Sequence, residues 1–231
     1  MKVKRSLIAI SALMGLAALP AVSLASPPRP AGYLSVFLGA SAPQDTTVTI
    51  SEFNPVATKD ARTQFDPGIN IGGTAGYDFG FFRLEGEISY KRGEISKVTE
   101  QTYGARYLNT DGHLGAFAMM MNGFFDLHNE SPLTPYLGGG MGFSTVGLSR
   151  TRGVDASTGA RNDHIFQSDY DNVFAYQAGA GLDIFLNRHL SLDLGYRYFG
   201  TSQARFTKDW PNSTDLKLAS HNAALGLRVK F

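Results

Sequence analysis

The sequence has no cysteine, so no disulfide can hold it together, whatever compartment it occupies. It also lacks a basic surplus. Lys and Arg number 21 against 20 Asp and Glu, which argues against a nucleic-acid partner, since such partners need a concentrated positive surface. Long apolar runs are missing except at the N-terminus, where Leu7 to Val22 follows Lys2, Lys4 and Arg5. That run is shorter than the ~20 residues a membrane helix needs. It is followed by Ser23-Leu24-Ala25 and then Ser26-Pro27-Pro28. The arrangement predicts a secretory signal peptide over residues 1–25, cleaved after Ala25. Cleavage would leave 18 basic residues against 20 acidic ones, a net charge of −2, and an all-β domain over residues 26–231.

What the remaining chain does have is a period of two. Its last stretch, Leu218 to Phe231, alternates Ala223, Leu225, Leu227 and Val229 with Asn222, Ala224, Gly226 and Arg228. Alternation of this kind marks a strand with one apolar face. Seven earlier segments alternate similarly, over residues 32–40, 68–78, 81–91, 113–127, 134–148, 173–186 and 189–199. The third is the clearest, with Phe82, Leu84, Ile88 and Tyr90 opposed by Arg83, Glu85, Glu87, Ser89 and Lys91.

The links between segments alternate as well. Those at Asp78-Phe79-Gly80, His128 to Leu133 and Asn187-Arg188 are short. Ser41 to Pro67, Arg92 to Gly112, Ser149 to Asn172 and Gly200 to Lys217 are long and polar. Four long loops would count against a compact soluble fold. They are expected of an eight-stranded antiparallel up-and-down transmembrane β-barrel, with short periplasmic turns and long extracellular loops. Lipid offers no hydrogen bonds to an open sheet edge, so such a sheet must close on itself. Tyr77, Phe79, Phe81, Phe82, Phe125, Tyr136, Phe185 and Phe231 cluster near the short-turn ends, where an aromatic girdle is expected.

Several motifs resemble those of the bacterial opacity-protein and surface-antigen family of outer-membrane barrels. They include Leu84-Glu85-Gly86-Glu87, Met121-Asn122-Gly123-Phe124-Phe125-Asp126 and Pro135-Tyr136-Leu137-Gly138-Gly139-Gly140. Further ones are Tyr176-Gln177-Ala178-Gly179, Leu192-Asp193-Leu194-Gly195-Tyr196-Arg197-Tyr198 and the closing Gly226 to Phe231. The resemblance spans the whole chain after the leader. It implies the bacterial outer membrane as location, lipid as surroundings, and a surface antigen, adhesin-like or envelope-structural role. A small porin-like channel is the alternative. It further implies that the terminal Phe231 is read by the barrel-assembly machinery.

The polar face places Arg83, Glu85, Glu87, Asn122, Gln177, Asp183, Asp193, Arg197 and Arg228 inside the barrel. Eight strands leave just enough room for side chains, so these groups are expected to pair into a register-locking network. The alternative is a narrow polar pathway. In the loops, Phe53, Tyr103, Tyr107, Phe166, Tyr170 and Trp210 are candidate anchors for a host or matrix ligand. Catalysis would need His113 with Asp111, or His221 with Ser220, at the outer rim, and a nucleophile within hydrogen-bond reach of its base. The glycines from Gly138 to Gly142 lack the helix a phosphate loop requires. Asp111 and the pair Asp169 and Asp171 lack the continuation of a calcium loop. No cofactor, metal or catalytic residue is therefore expected.

Overall fold

A computed structural model describes residues 30–53, 56–100, 106–108, 110–127, 131–166, 168–207 and 213–231. The expected signal peptide lies outside the described residues. Twelve strands occur among them: β1 (Ala31–Pro43), β2 (Thr46–Phe53), β3 (Val56–Asp78), β4 (Phe82–Glu100), β5 (Arg106–Leu108) and β6 (His113–Asp126). They continue with β7 (Leu133–Leu148), β8 (Thr151–Asp155), β9 (Arg161–Phe166), β10 (Asp169–Phe185), β11 (Leu190–Phe206) and β12 (Ser213–Lys230).

Eight of these close a ring of antiparallel neighbours in the order β1, β3, β4, β6, β7, β10, β11, β12 and back to β1. Closure is made by β1 and β12, paired from Tyr33 opposite Lys230 to Pro43 opposite Ser220. Phe231 N–H then donates to Gly32 O at 3.0 Å. The other four strands were not legible as strands in the sequence. They fall in the long links: β2 pairs with β3 and with the far end of β12, while β5, β8 and β9 continue outward from β4.

The wall strands are longer than a membrane requires. β3 has 23 residues, β4 has 19 and β12 has 18, against about 9–11 for a crossing. At ~3.3 Å per residue, and with strands tilted by about 45°, the surplus carries the sheet roughly 20–30 Å past the hydrocarbon. Among the described residues, the links expected to be irregular loops are thus largely a β-sheet continuation of the barrel.

The outer surface follows from alternation. Val36 is 66% exposed, Met141 63% and Phe143 70%, within a belt of exposed Leu, Ile, Met and aromatic side chains. A soluble protein rarely exposes a contiguous apolar patch beyond a few hundred Å²; lipid is the medium that accepts such a belt. Tyr77, Phe79, Phe81 and Phe125 ring its short-turn edge, and Tyr90, Phe117, Phe174 and Tyr196 ring the other. Tyr136 does not belong to the girdle. It points inward and is buried against Phe124, at 5.3 Å between ring centres.

Glycines and aromatics interlock across neighbouring strands. A Cβ on Gly76 would lie 2.7 Å from the Tyr33 ring, on Gly72 2.6 Å from Phe37, and on Gly32 2.8 Å from Phe231. Tyr136 covers both Gly181 and Gly195. Each ring lies over backbone that has no side chain of its own, which pins strand register as aromatic cover of glycine does in designed sheets. Gly80, at φ +105°, is required for another reason. It makes the β3–β4 turn in the left-handed region, with its N–H held by Asp78 Oδ1 at 2.8 Å.

Candidate functional site: packed lumen and extracellular sheet

The inward faces divide at about mid-height. Toward the short turns they carry charge. Arg83 Nε lies 2.8 Å from Asp126 Oδ2, with both side chains buried. Glu85 accepts from Tyr33 OH at 2.9 Å, from Asn122 Nδ2 at 3.3 Å and from Arg197 Nη2 at 3.2 Å. Glu87 accepts from Asn122 Nδ2 at 3.0 Å, from Gln177 Nε2 at 2.8 Å and from Arg197 Nη1. Gln177 Nε2 is also 2.7 Å from Asn122 Oδ1. Arg228 reaches two carboxylates, Asp183 at 2.5 Å and Asp193 at 2.7 Å, and Tyr136 OH donates to Asp193 at 2.8 Å. Lys230 closes the set on Asp78 at 2.8 Å. Together these contacts draw side chains from all eight wall strands.

All nine polar residues assigned to the interior from the sequence sit in this layer. Five further members were missed there: Tyr33, Asp78, Asp126, Tyr136 and Lys230. The parity of their positions on the inward face was the available signal. Also unread was the pairing of each interior cation with an aromatic face. Arg83 lies 4.6 Å from the Tyr136 ring centre, Arg228 4.8 Å from Tyr33 and Arg197 5.3 Å from Phe124. Lys91 lies 4.4 Å from Phe199 and Lys230 4.7 Å from Phe185. Such contacts attract a desolvated cation through the negative ring face.

Toward the long loops the lumen changes character. Above Lys91 and Phe199 it is filled by Leu114, Val146, Leu148, Val173 and Phe206, with Leu216 and Leu218 from β12. Val48 of β2, with Ile95 and Val98 of β4, extends the packing outward, and Ile50, Tyr107 and Ile165 lean on it. This apolar core departs from the polar inward face that the alternation predicts. It arises where the strands outrun the bilayer and need a hydrophobic core of their own.

Among the described residues the β10–β11 wall opens into a seam at this height. β10 and β11 pair only from Ala175 opposite Thr201 inward, although both run further out. Beyond that point the Arg205 N–H donates to Asp171 Oδ2 at 2.8 Å and the Thr207 N–H to Asp169 Oδ2 at 2.9 Å. These pairs continue the register of the ladder, with a carboxylate standing where a backbone carbonyl would.

The candidate rim catalysts are not assembled. Ser220 points inward and is held at 3.1 Å by Asn222 Nδ2, whereas His221 points outward between Tyr196 and Tyr198. Its Nδ1 is 2.6 Å from Tyr196 OH and its Nε2 is 2.7 Å from Gln44 Nε2. Asp111 pairs with Arg152, leaving His113 without the carboxylate the sequence placed beside it. Among the described residues no cluster of His, Asp and Glu is arranged to hold a metal.

Of the candidate loop anchors, Tyr170 is 71% exposed. Tyr107 is not a free anchor, because it is half-buried and packs on the apolar core of the extension. Phe53 and Phe166 end described strands, but their side chains lie outside the described set, as do Tyr103 and Trp210 entirely.

Comparison with known proteins agrees with this architecture. The chain is 29% identical over 195 residues to the outer membrane protein PagN of Salmonella typhimurium, covering 77% of this chain and 78% of that one. It is 26% identical over 187 residues to an opacity protein of Neisseria gonorrhoeae, covering 68% and 76%. Among solved structures, the outer membrane protein OprG of Pseudomonas aeruginosa superposes with a TM-score of 0.59 over 87% of this chain and 96% of its own, at 14% identity. Residues 9–231 match the family described as the outer membrane protein beta-barrel domain. The chain belongs to that family and is an outer-membrane β-barrel protein of the opacity and surface-protein kind, with its short turns in the periplasm and its extended sheet outside.

Proposed function

We propose that the protein works as a non-enzymatic surface protein, adhesin-like or antigenic, through the part of its sheet that stands clear of the membrane. The membrane-embedded barrel serves as a sealed pedestal. The observation that carries this reading is the apolar core filling the extracellular half of the lumen. A hydrated ion would have to shed its water to enter such a medium, at a cost of several kcal/mol or more, so conduction is disfavoured. That leaves the exterior of the extension as the place to meet a partner. It presents mixed charge, including Arg62 beside Asp45 and Arg205 beside Asp215, and the exposed ring of Tyr170. The similarity to PagN and to opacity proteins supports the same reading. Lipid surrounds the belt, and Phe231 at the closing strand offers its exposed ring to the assembly machinery.

Two experiments test this. The loops and strand extensions, grafted onto an inert eight-stranded barrel, should transfer binding to host cells or matrix. A graft that binds no better than the empty barrel would remove the adhesin-like reading. In planar bilayers the intact protein should show no ohmic single-channel steps. Steady conductance would favour the channel alternative.

A further inference from the structure

On the outer face of the wall one strand glycine has no steric reason to be glycine. A Cβ on Gly147 would meet no atom within 4 Å, and its φ is not in the left-handed region. Gly147 pairs in unbroken register with Gly115 of β6 and with Tyr170 of β10, so it makes no bulge. A strand glycine without crowding or bulge marks a place where something else approaches the backbone.

The register shows what surrounds it. Gly115 lies opposite Arg92 of β4. Across four neighbouring strands the outward positions therefore read Tyr170, Gly147, Gly115, Arg92. Two bare positions separate an aromatic from a cation, about 14 Å apart at ~4.8 Å per strand. Tyr170 is 71% exposed, and Arg92 is exposed as well. Along the lower edge a Cβ on Gly115 would lie 3.1 Å from Tyr90 OH. Beside it Asn172 Oδ1 accepts from Thr145 Oγ1 at 2.6 Å, which leaves the Asn172 Nδ2 to donate outward. Glu94 and His113, opposite each other, form the upper edge.

The strip starts where the lipid belt ends. Arg92 and Gly115 are the next outward positions after Tyr90 and Phe117 of the outer girdle, and Tyr170 lies two beyond Phe174. A partner on another cell would meet the far end of the extension first. What borders this foot is the headgroup layer of the outer leaflet. The edges carry both signs, so a bare anion would face Glu94 and a bare cation Arg92. Sugar hydroxyls both donate and accept, and suit either. The C–H face of a sugar ring also suits the negative face of an exposed tyrosine. We propose that the strip is a docking site for the saccharide headgroup of an outer-leaflet glycolipid, with its acyl chains lying on the belt below. Tyr170 stacks on a sugar ring over the bare glycines, Asn172 binds a hydroxyl, and Arg92, nearest the belt, meets a headgroup phosphate. This goes beyond the surface-protein reading, and leaves the Arg62–Asp45 and Arg205–Asp215 surfaces to other partners.

The refolded full chain in phosphatidylcholine vesicles should keep its folded gel band to a higher temperature once lipopolysaccharide is added to the vesicles. Gly147→Val closes the strip without crowding the fold, because its side chain enters open space and pairs with Tyr170 across the strands. It should hold its stability in phosphatidylcholine alone yet lose most of the gain from lipopolysaccharide. Tyr170→Ala should lose the gain too, whereas Tyr170→Phe, which keeps the ring face, should retain it. A gain in Gly147→Val equal to that of the unaltered chain would overturn the proposal. So would an equal gain from phosphatidylglycerol, which supplies negative charge without a sugar. No gain from lipopolysaccharide, with host-cell binding lost in Gly147→Val, would give the strip to a partner on another cell instead.

Discussion

On strand β4 the inward positions from the periplasmic end read Arg83, Glu85, Glu87, Ser89 and Lys91, and then Gly93, Ile95 and Val98. One strand thus serves two interiors. The lower is charged and held by directional contacts; the upper is apolar and held by shape. Lys91 stands at the border, bonded down to Ser89 and lying over the Phe199 ring above. The difference teaches why both are needed. Below, where lipid covers the outside, apolar residues inside would leave little to discriminate one register from another, because lipid is as apolar as they are. Ion pairs specify partners. Above, water surrounds the sheet, and an apolar interior gains the hydrophobic driving force that lipid cannot supply.

This contrast predicts which substitutions hurt most. Arg228→Ala strands Asp183 and Asp193 together, both buried, and should cost about 3–5 kcal/mol, the usual loss when one partner of a buried pair is removed. Reversible urea unfolding in lipid vesicles measures it. A loss below about 1 kcal/mol would mean that the lower half is hydrated and not specified by its pairs. Arg197→Ala should likewise lower the temperature at which the folded band disappears, by removing the contacts to Glu85 and Glu87. Bilayer conductance should stay at baseline in both variants, because the upper core is untouched.

In the upper half the comparable test is Leu114→Ala. Leu114 is buried within the apolar core, and the expected loss is about 2–5 kcal/mol, depending on how far the core collapses around the cavity. Ile95→Val at the same height should cost only about 0.5–1.5 kcal/mol. The informative pairing is with salt. Raising ionic strength should leave the Leu114→Ala difference unchanged, and should do little to the Arg228→Ala difference as well, because buried pairs are weakly screened. A strong salt dependence of the Arg228 effect would place that pair in contact with water.

How much of this was legible in the sequence differs between the halves, for a physical reason. In the lower half both faces announce themselves: Leu84 and Ile88 face lipid while Glu85 and Glu87 face each other's partners, so alternation of polarity is strong. The eight crossing strands, the closure of β12 on β1 and the lipid belt all follow from it. In the upper half the polarity of the faces inverts. Leu114, Ala116 and Val146 point inward, and Arg62, Arg92 and Arg205 point to water. The alternation there reads as mixed composition, and the short strands β5, β8 and β9 hold too few residues for a period to register. Tyr136 was misplaced in the girdle because an aromatic near a turn has either face open to it. Only its partner Asp193, 57 residues on, settles which.

The smallest expected effect lies in the wall, where the two halves differ again. Backbone ladders close the lower half all round, while the upper half has the β10–β11 seam spanned by Asp169 and Asp171. A carboxylate that replaces a backbone acceptor holds its N–H without drawing the strands to ladder distance. Asp171→Ala should therefore free the Arg205 N–H to water while leaving both strands paired on their other sides, to β7 and to β12. Global stability should change by no more than about 0.5 kcal/mol, as for most surface substitutions. Amide exchange at Arg205 should nevertheless accelerate clearly, with Thr207 following in Asp169→Ala and the amides of Ala175 and Thr201 unaffected. If exchange at Ala175 and Thr201 accelerated too, the two carboxylates would be holding the ladder below them shut, and the seam would be a hinge of the barrel wall instead of its frayed end.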